Sequence, residues 1–243
     1  VLPAERAGAT PLHLILDDLS GASLVAGWAW SRWTDEWQRS LAAAAASSGE
    51  ARPIRRSMEG VCSGFRPGSS ALNPDGTSSA SQSATDVVDL RNADDPEGWH
   101  AFTVQEGVGM RRARRIDIWL EDDLIRIDSA FQDSATNPKG GRTAVHEYRL
   151  TAAVDPGSMT LAAAQADPRV LPYRECPTAA ENAPRLIGAP LAGLREQVLQ
   201  DLRGTAGCTH LNDALRALAE VPVLANRLRE VVAAGWKSEE IET

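Results

Sequence analysis

The chain has 243 residues and a formal charge of −8, from 25 Lys and Arg against 33 Asp and Glu. That length suits one large domain or two small ones with a real core, and 43% hydrophobic with 24% charged residues excludes disorder throughout. The acidic balance excludes nucleic acid as the main partner, because phosphate binding needs clustered Lys and Arg, and no apolar stretch is long enough to span a bilayer.

Three widely spaced Cys make no disulfide framework and point to a reducing cytoplasm. The chain opens at Val1 with no initiator Met and no secretory pattern, so it reads as cytoplasmic and as a truncated or processed product. The aromatics are lopsided, with 7 Trp against 3 Phe and 2 Tyr, and four of the Trp fall between Trp28 and Trp37.

In chain order, Pro11 to Ser47 reads as helical, with breaks at Gly21 and Gly27. Trp30, Trp33, Trp37 and Leu41 sit at spacings that put them on one helical stripe. Residues 1–60 are therefore a Trp-rich helical segment. Residues 61–113 form a loop-rich connection, in which Ser63 to Thr85 is dominated by Gly, Pro, Asn and Ser and reads as a flexible linker rather than a lid.

From Arg114 the period becomes two. Ile116, Ile118 and Leu120 alternate with Arg115, Asp117 and Trp119, and Ile125 and Ile127 alternate with Arg126 and Asp128. Two further runs, Thr143 to Ala153 and Met159 to Gln165, complete an antiparallel meander, of which one face is expected to carry the core. Leu191, Leu194, Val198 and Leu202 then mark an amphipathic helix. Thr209 or Asn212 caps another. The predicted class is α+β, with residues 114–243 as meander then helices. A faint echo between Thr10-Pro11-Leu12-His13-Leu14 and Gly207-Cys208-Thr209-His210-Leu211 reads residues 1–30 as the tail of an earlier repeat.

Several of these segments resemble a known family. They are Trp99-His100, Met110 to Trp119, His146-Glu147-Tyr148, Pro168 to Pro177 and Gly207 to Leu211, together with Cys62-Ser63-Gly64-Phe65 and Pro11 to Leu19. They resemble an actinobacterial branch of the bacterial family called domain of unknown function 2889. The resemblance implies a bacterial cytoplasmic protein, often encoded among catabolic genes for hydrophobic compounds such as steroids, terpenoids or aromatics. It implies no reaction.

Three residue groups could carry chemistry. Asp117 and Asp128 share the polar parity of their strands, so pairing would bring both carboxylates beside Trp119. Two nearby carboxylates can act as acid and base, although Arg115 and Arg126 could simply pair them on a solvated face. His146 and Tyr148 share a strand face and make a proton donor and acceptor pair near neutral pH. Cys176, Cys208 and His210, with Cys62, could ligate zinc, but their spacing fits buried thiols better. Cys208 at a helix start is also a candidate nucleophile. His100 follows Trp99 in a turn-rich stretch and could line a pocket mouth.

No dinucleotide, P-loop, serine-hydrolase or HExxH motif is present. The sequence therefore predicts a cofactor-independent catabolic enzyme doing hydration, dehydration, isomerisation or hydrolysis on a hydrophobic cyclic molecule. His146, Asp128 and Asp117 would move protons with Tyr148 assisting, and Trp30, Trp33, Trp37 and Trp119 would form the wall. The alternative is a non-catalytic binding or assembly subunit in a homo-oligomer, or in a heteromer whose other chain supplies the missing repeat.

Overall fold

The computed structural model describes residues 3–34, 57–79, 82–99 and 102–234. Trp37 and His100 lie outside these residues. Helix α1 spans Pro3–Ala7 and α2 spans Pro11–Ser31. The Thr10 hydroxyl caps α2 by accepting the His13 N–H, and Pro11 opens the helix where a missing N–H costs nothing.

α2 runs unbroken through Gly21 and Gly27, contrary to the expected breaks. Gly21 serves close packing instead. A Cβ there would overlap the Arg112 guanidinium and come within 2.5 Å of Asp213 Oδ2. The helix stops at Ser31 because the following side chains tie down to the sheet. Arg32 donates to Asn137 Oδ1 at 2.7 Å, and Trp33 Nε1 donates to the Thr136 carbonyl at 2.9 Å. Trp33 thus lies beyond the helix, and the single helical stripe of Trp30 and Trp33 does not form.

Five antiparallel strands follow: β1 Thr85–Asp86, β2 Met110–Glu121, β3 Leu124–Thr136, β4 Arg142–Asp155 and β5 Thr160–Val170. The order is β2-β3-β4-β5, with β1 beside the first residues of β4. Asp122 and Asp123, at φ 50° and 58°, form the two-residue turn that matches the strand twist between β2 and β3. Three helices complete the fold: α3 Leu194–Asp201, α4 Thr209–Ala217 and α5 Val221–Ala233. The α+β class is as the alternation implied. Among the described residues no helix is long and apolar enough to cross a membrane.

The core lies on one face of the sheet. Ile125, Ile127, Phe131, Tyr148, Leu150 and Leu161 meet Leu186, Leu191, Leu194, Val198, Leu211 and Leu215. Burial of such side chains contributes about 1.5–3 kcal/mol each. The alternation predicts core on one face only, yet the opposite face is partly covered. Leu90 and Trp99 cover Ala113 and Ala130, and Gln132 bridges Glu147 and the Val88 carbonyl.

Residues 57–79 are packed rather than a flexible linker. The Ser70 N–H and hydroxyl both donate to Glu175, at 3.1 and 2.7 Å, and the Ser63 N–H donates to the Gly207 carbonyl at 2.8 Å. Ser63, Ser69 and Ala71 are buried.

Candidate functional site

Strand register builds the site. Arg112 of β2 lies directly opposite Asp133 of β3, and Asp133 lies directly opposite His146 of β4. All three project from the covered face, because they share the parity of Ile116, Phe131 and Tyr148. The register shifts immediately after Asp133, a bulge of the kind that re-aims side chains beside functional sites.

The helices close over this row. Cys208 occupies the N-cap of α4, which places His210 in its first turn. The His210 ring stacks on His146 with centroids 3.3 Å apart and planes 16° apart. One turn further, Asp213 accepts from Arg112 Nη1 at 2.8 Å. From α2, Asp18 pairs with Arg114 at 2.6 Å and reaches Arg112 at 3.4 Å.

Arg112 is the hub. It grips Asp133 with two parallel bonds of 2.8 and 2.9 Å, the strong bidentate geometry, and its guanidinium lies 4.7 Å from the centre of the Phe131 ring. Burial works to raise the Asp133 pKa, but the Arg112 bonds and charge bring it down to about 2. Burial, with the neighbouring His146, holds the His210 pKa well below the usual imidazole range. Burial likewise raises the Asp213 pKa against the pull of Arg112.

His146 Nδ1 lies 3.6 Å and His210 Nε2 lies 3.8 Å from the same Asp133 oxygen, Oδ2. Both distances are too long for hydrogen bonds, and both nitrogens are buried without a hydrogen-bond partner.

The two histidines open onto a cavity of about 310 Å³. Its wall is mostly apolar: Leu24, Val25 and Trp28 from α2, Met58 and Phe65 from the packed segment, and Tyr173. Arg32 sits over the Trp28 ring, 5.1 Å from its centre. Ser78 and Gln82 approach the Tyr173 hydroxyl, each at 3.1 Å, and add polar atoms at another part of the wall.

The other sequence-predicted residues fall elsewhere. Asp117 and Asp128 are directly opposite each other, but on the face away from His146. Arg115 bonds both, and Arg149 grips Asp128 at 2.7 and 3.0 Å. Arg126 turns instead to Glu121 and Asp122. The sheet therefore separates these carboxylates from His146.

Trp119 shares their face and is 42% exposed, and neither Trp30 nor Trp33 lines the cavity. Tyr148 shares the His146 face but is fully buried, without a partner for its hydroxyl, and burial raises its pKa.

Cys62, Cys176 and Cys208 all reach the cavity. Burial raises the pKa of Cys62 and Cys208 and pushes Cys176 up to about 12, which opposes a thiolate at any of them. Cys208 Sγ lies 4.0 Å from His210 Nδ1. Even so, Cys176, Cys208 and His210 do not converge as ligands. Among the described residues the converging set is Asp133, His146 and His210, whose ligand atoms lie within 4.8 Å of one another.

Sequence reasoning missed Arg112, Asp133, Asp213, Asp18 and Trp28. A signal was present for two of them. Arg112 shares the parity of Ile116 and Ile118, and Asp133 that of Ile127 and Phe131, so both are charged residues in apolar rows.

The class defined by fold and site is an α+β protein with an apolar cavity whose polar end is a histidine pair backed by a buried ion network. Residues 110–224 match the model of the family described as Protein of unknown function (DUF2889). The match contains Arg112, Asp133, His146, His210 and Asp213, and leaves out α2 with Asp18, Gly21 and Trp28. No curated protein and no solved structure matches the chain.

Proposed function

We propose that the chain binds a hydrophobic small molecule, of the size of a terpenoid or a fused-ring fragment, in the cavity beneath α2. It acts on one polar group of that molecule at the His146–His210 end. The observation that carries this reading is the shared lining: Leu24, Val25, Trp28 and Phe65 occupy the same wall as His146 and His210. A volume of about 310 Å³ sits at the lower end of the range for small-molecule sites, and an apolar wall with few convergent polar groups is their usual composition.

The reaction class is addition or removal of water, isomerisation or hydrolysis. These reactions need a placed polar group and a shielded pocket rather than a nucleotide or flavin. The Arg112–Asp133 pair behind the histidines makes the polar end rigid. The test is turnover of cyclic terpene alcohols, lactones and enones by the wild type and by His146→Ala. Loss of at least ~100-fold in kcat with folding intact supports the reading, on the usual size of acid–base contributions. Equal turnover in both removes His146 from the chemistry.

A second reading has its own observation. Leu12, Ile15, Leu19 and Trp30 of α2 are exposed, Ile15 and Leu19 by 68% and 66%. Exposed apolar rows of this kind mark association surfaces. In this reading α2 docks a partner chain, and the mass of the chain in solution by light scattering decides it. A stable oligomer lost on Ile15→Glu supports docking, and a monomer argues against it.

A further inference from the structure

We infer that Asp133, His146 and His210 form a mononuclear site for a divalent transition cation, of the zinc or iron(II) class, with an open position toward the apolar cavity. Two imidazoles and one carboxylate are the donor set of such sites when they keep a coordination place free.

Three observations carry it. First, two buried nitrogens converge on one carboxylate oxygen at 3.6 and 3.8 Å. Direct hydrogen bonds would close to about 2.9 Å. Donors bound at roughly 2.0–2.2 Å around a tetrahedral cation stand about 3.4 Å apart, so the carboxylate needs only a small inward movement, while the two rings, stacked with planes 16° apart, must also tilt out of their stack so that their in-plane lone pairs meet on one ion. Second, neither nitrogen has any other partner, although both are buried. A buried imidazole nitrogen without a bond is costly, and a shared cation would satisfy both at once.

Third, the surrounding ion network carries surplus negative charge. Arg112, Arg114, Arg195 and Arg216 connect to Asp17, Asp18, Asp133, Asp213 and Glu220, four cations against five acids. A divalent ion at Asp133 sits where that surplus favours it.

Arg112 does not compete for the ligand atom. An ionised carboxylate has about four lone-pair sites, and Arg112 uses one on each oxygen. It acts as the outer partner that orients a ligating carboxylate. Metal held here would polarise a substrate carbonyl or lower the pKa of a bound water.

The inference rests on the proposed function only for the direction in which the open position faces. Failure of cation binding leaves ligand binding by the cavity standing, and the reverse also holds.

The test uses the full untagged chain, stripped with chelator and titrated with Co²⁺. The expected result is one cobalt per chain by elemental analysis, visible d–d absorption, displacement by Zn²⁺ and a raised Tm. His146→Ala and His210→Ala should each weaken uptake at least ~100-fold, since even outer partners of metal ligands are worth 10–100-fold. Cys208→Ser and Cys176→Ser should leave uptake unchanged.

If either histidine variant unfolds, imidazole ¹⁵N shifts of the wild type on Zn²⁺ addition report the same contact. Two of the four histidines should then respond. No cobalt bound by folded wild type, uptake surviving in both histidine variants, uptake lost in a cysteine variant, or no imidazole response would each overturn the site.

Discussion

Gly21 of α2 lies against the guanidinium of Arg112, so closely that the helix carries no Cβ at the crossing. This contact places α2 over the ion row and makes it one wall of the cavity. Polar pairs fix the helix further. Asp17 takes Arg195 at 2.8 Å and Arg216 at 2.9 Å, and Asp18 takes Arg114.

Gly21→Ala tests this docking. In a free helix the change would stabilise by about 1 kcal/mol. Here the new methyl must displace Arg112 from Asp213, and such overpacking costs roughly 1–3 kcal/mol. The expected outcome is a lower Tm and a lower denaturant midpoint. A higher Tm would mean that α2 is held less tightly than the contact implies.

Arg112→Met separates a buried charge from an exposed one. Removing the guanidinium leaves Asp133 and Asp213, with side chains 0% and 8% exposed, without their main counter-charge. Breaking a buried pair in this way costs about 3–5 kcal/mol. Arg149→Ala on the other face removes a 57% exposed partner of Asp128, and Arg115 still bonds that carboxylate. Its cost should stay below about 1 kcal/mol. Urea unfolding of both variants gives the comparison, and similar losses would contradict this division of the sheet.

This division also shows what the sequence disclosed and what it hid. The meander was readable because Ile116, Ile118, Ile125 and Ile127 alternate strictly and short turns separate the runs. The same parity puts Asp117 and Asp128 on one face and His146 and Tyr148 on one face, as the register has them. It could not say that Arg112, Asp133 and His146 align across three strands, because that depends on register and on a bulge.

The helical segment was harder to read. The Trp spacing suggested one stripe, yet the tether from Trp33 to Thr136 ends α2 before the stripe can form. Trp28, outside that pattern, lines the cavity instead. The Gly- and Ser-rich composition of Ser63 to Thr85 reads as a linker because its anchor, Glu175, is over a hundred residues away.

Glu175 gives a prediction in pH. Burial opposes its charge, but the hydroxyl and N–H of Ser70 with Arg174 lower its pKa to about 2. The unfolded value is near 4.3. A depressed folded pKa contributes stability above about pH 4.3 that is lost as pH falls toward 2. The stability gap between wild type and Glu175→Gln should therefore be largest at neutral pH and shrink between pH 4.5 and pH 2 (roughly, from these two values). A gap that is flat with pH would contradict the Ser70 anchor.

The cysteines give another. Cys176 and Cys208 are buried, 5% and 4% exposed, and burial raises both pKa values. Only thiolate attacks a disulfide reagent. In native protein at pH 7.5, Cys176 and Cys208 should label slowly, and all three thiols should label at once in denaturant. Fast native labelling of Cys208 would revive it as a nucleophile.

We propose that the cavity under α2 holds a hydrophobic ligand against the histidine pair. Calorimetric titration of the full chain with cyclic terpene alcohols, steroid lactones and enones tests it most directly, with Trp28→Ala run alongside. The expected result is saturable one-site binding with a negative heat-capacity change, the mark of apolar burial, weakened about tenfold or more by Trp28→Ala, since lost aromatic contact is worth over about 1 kcal/mol. No binding across the panel by folded protein, or binding indifferent to Trp28, would contradict it.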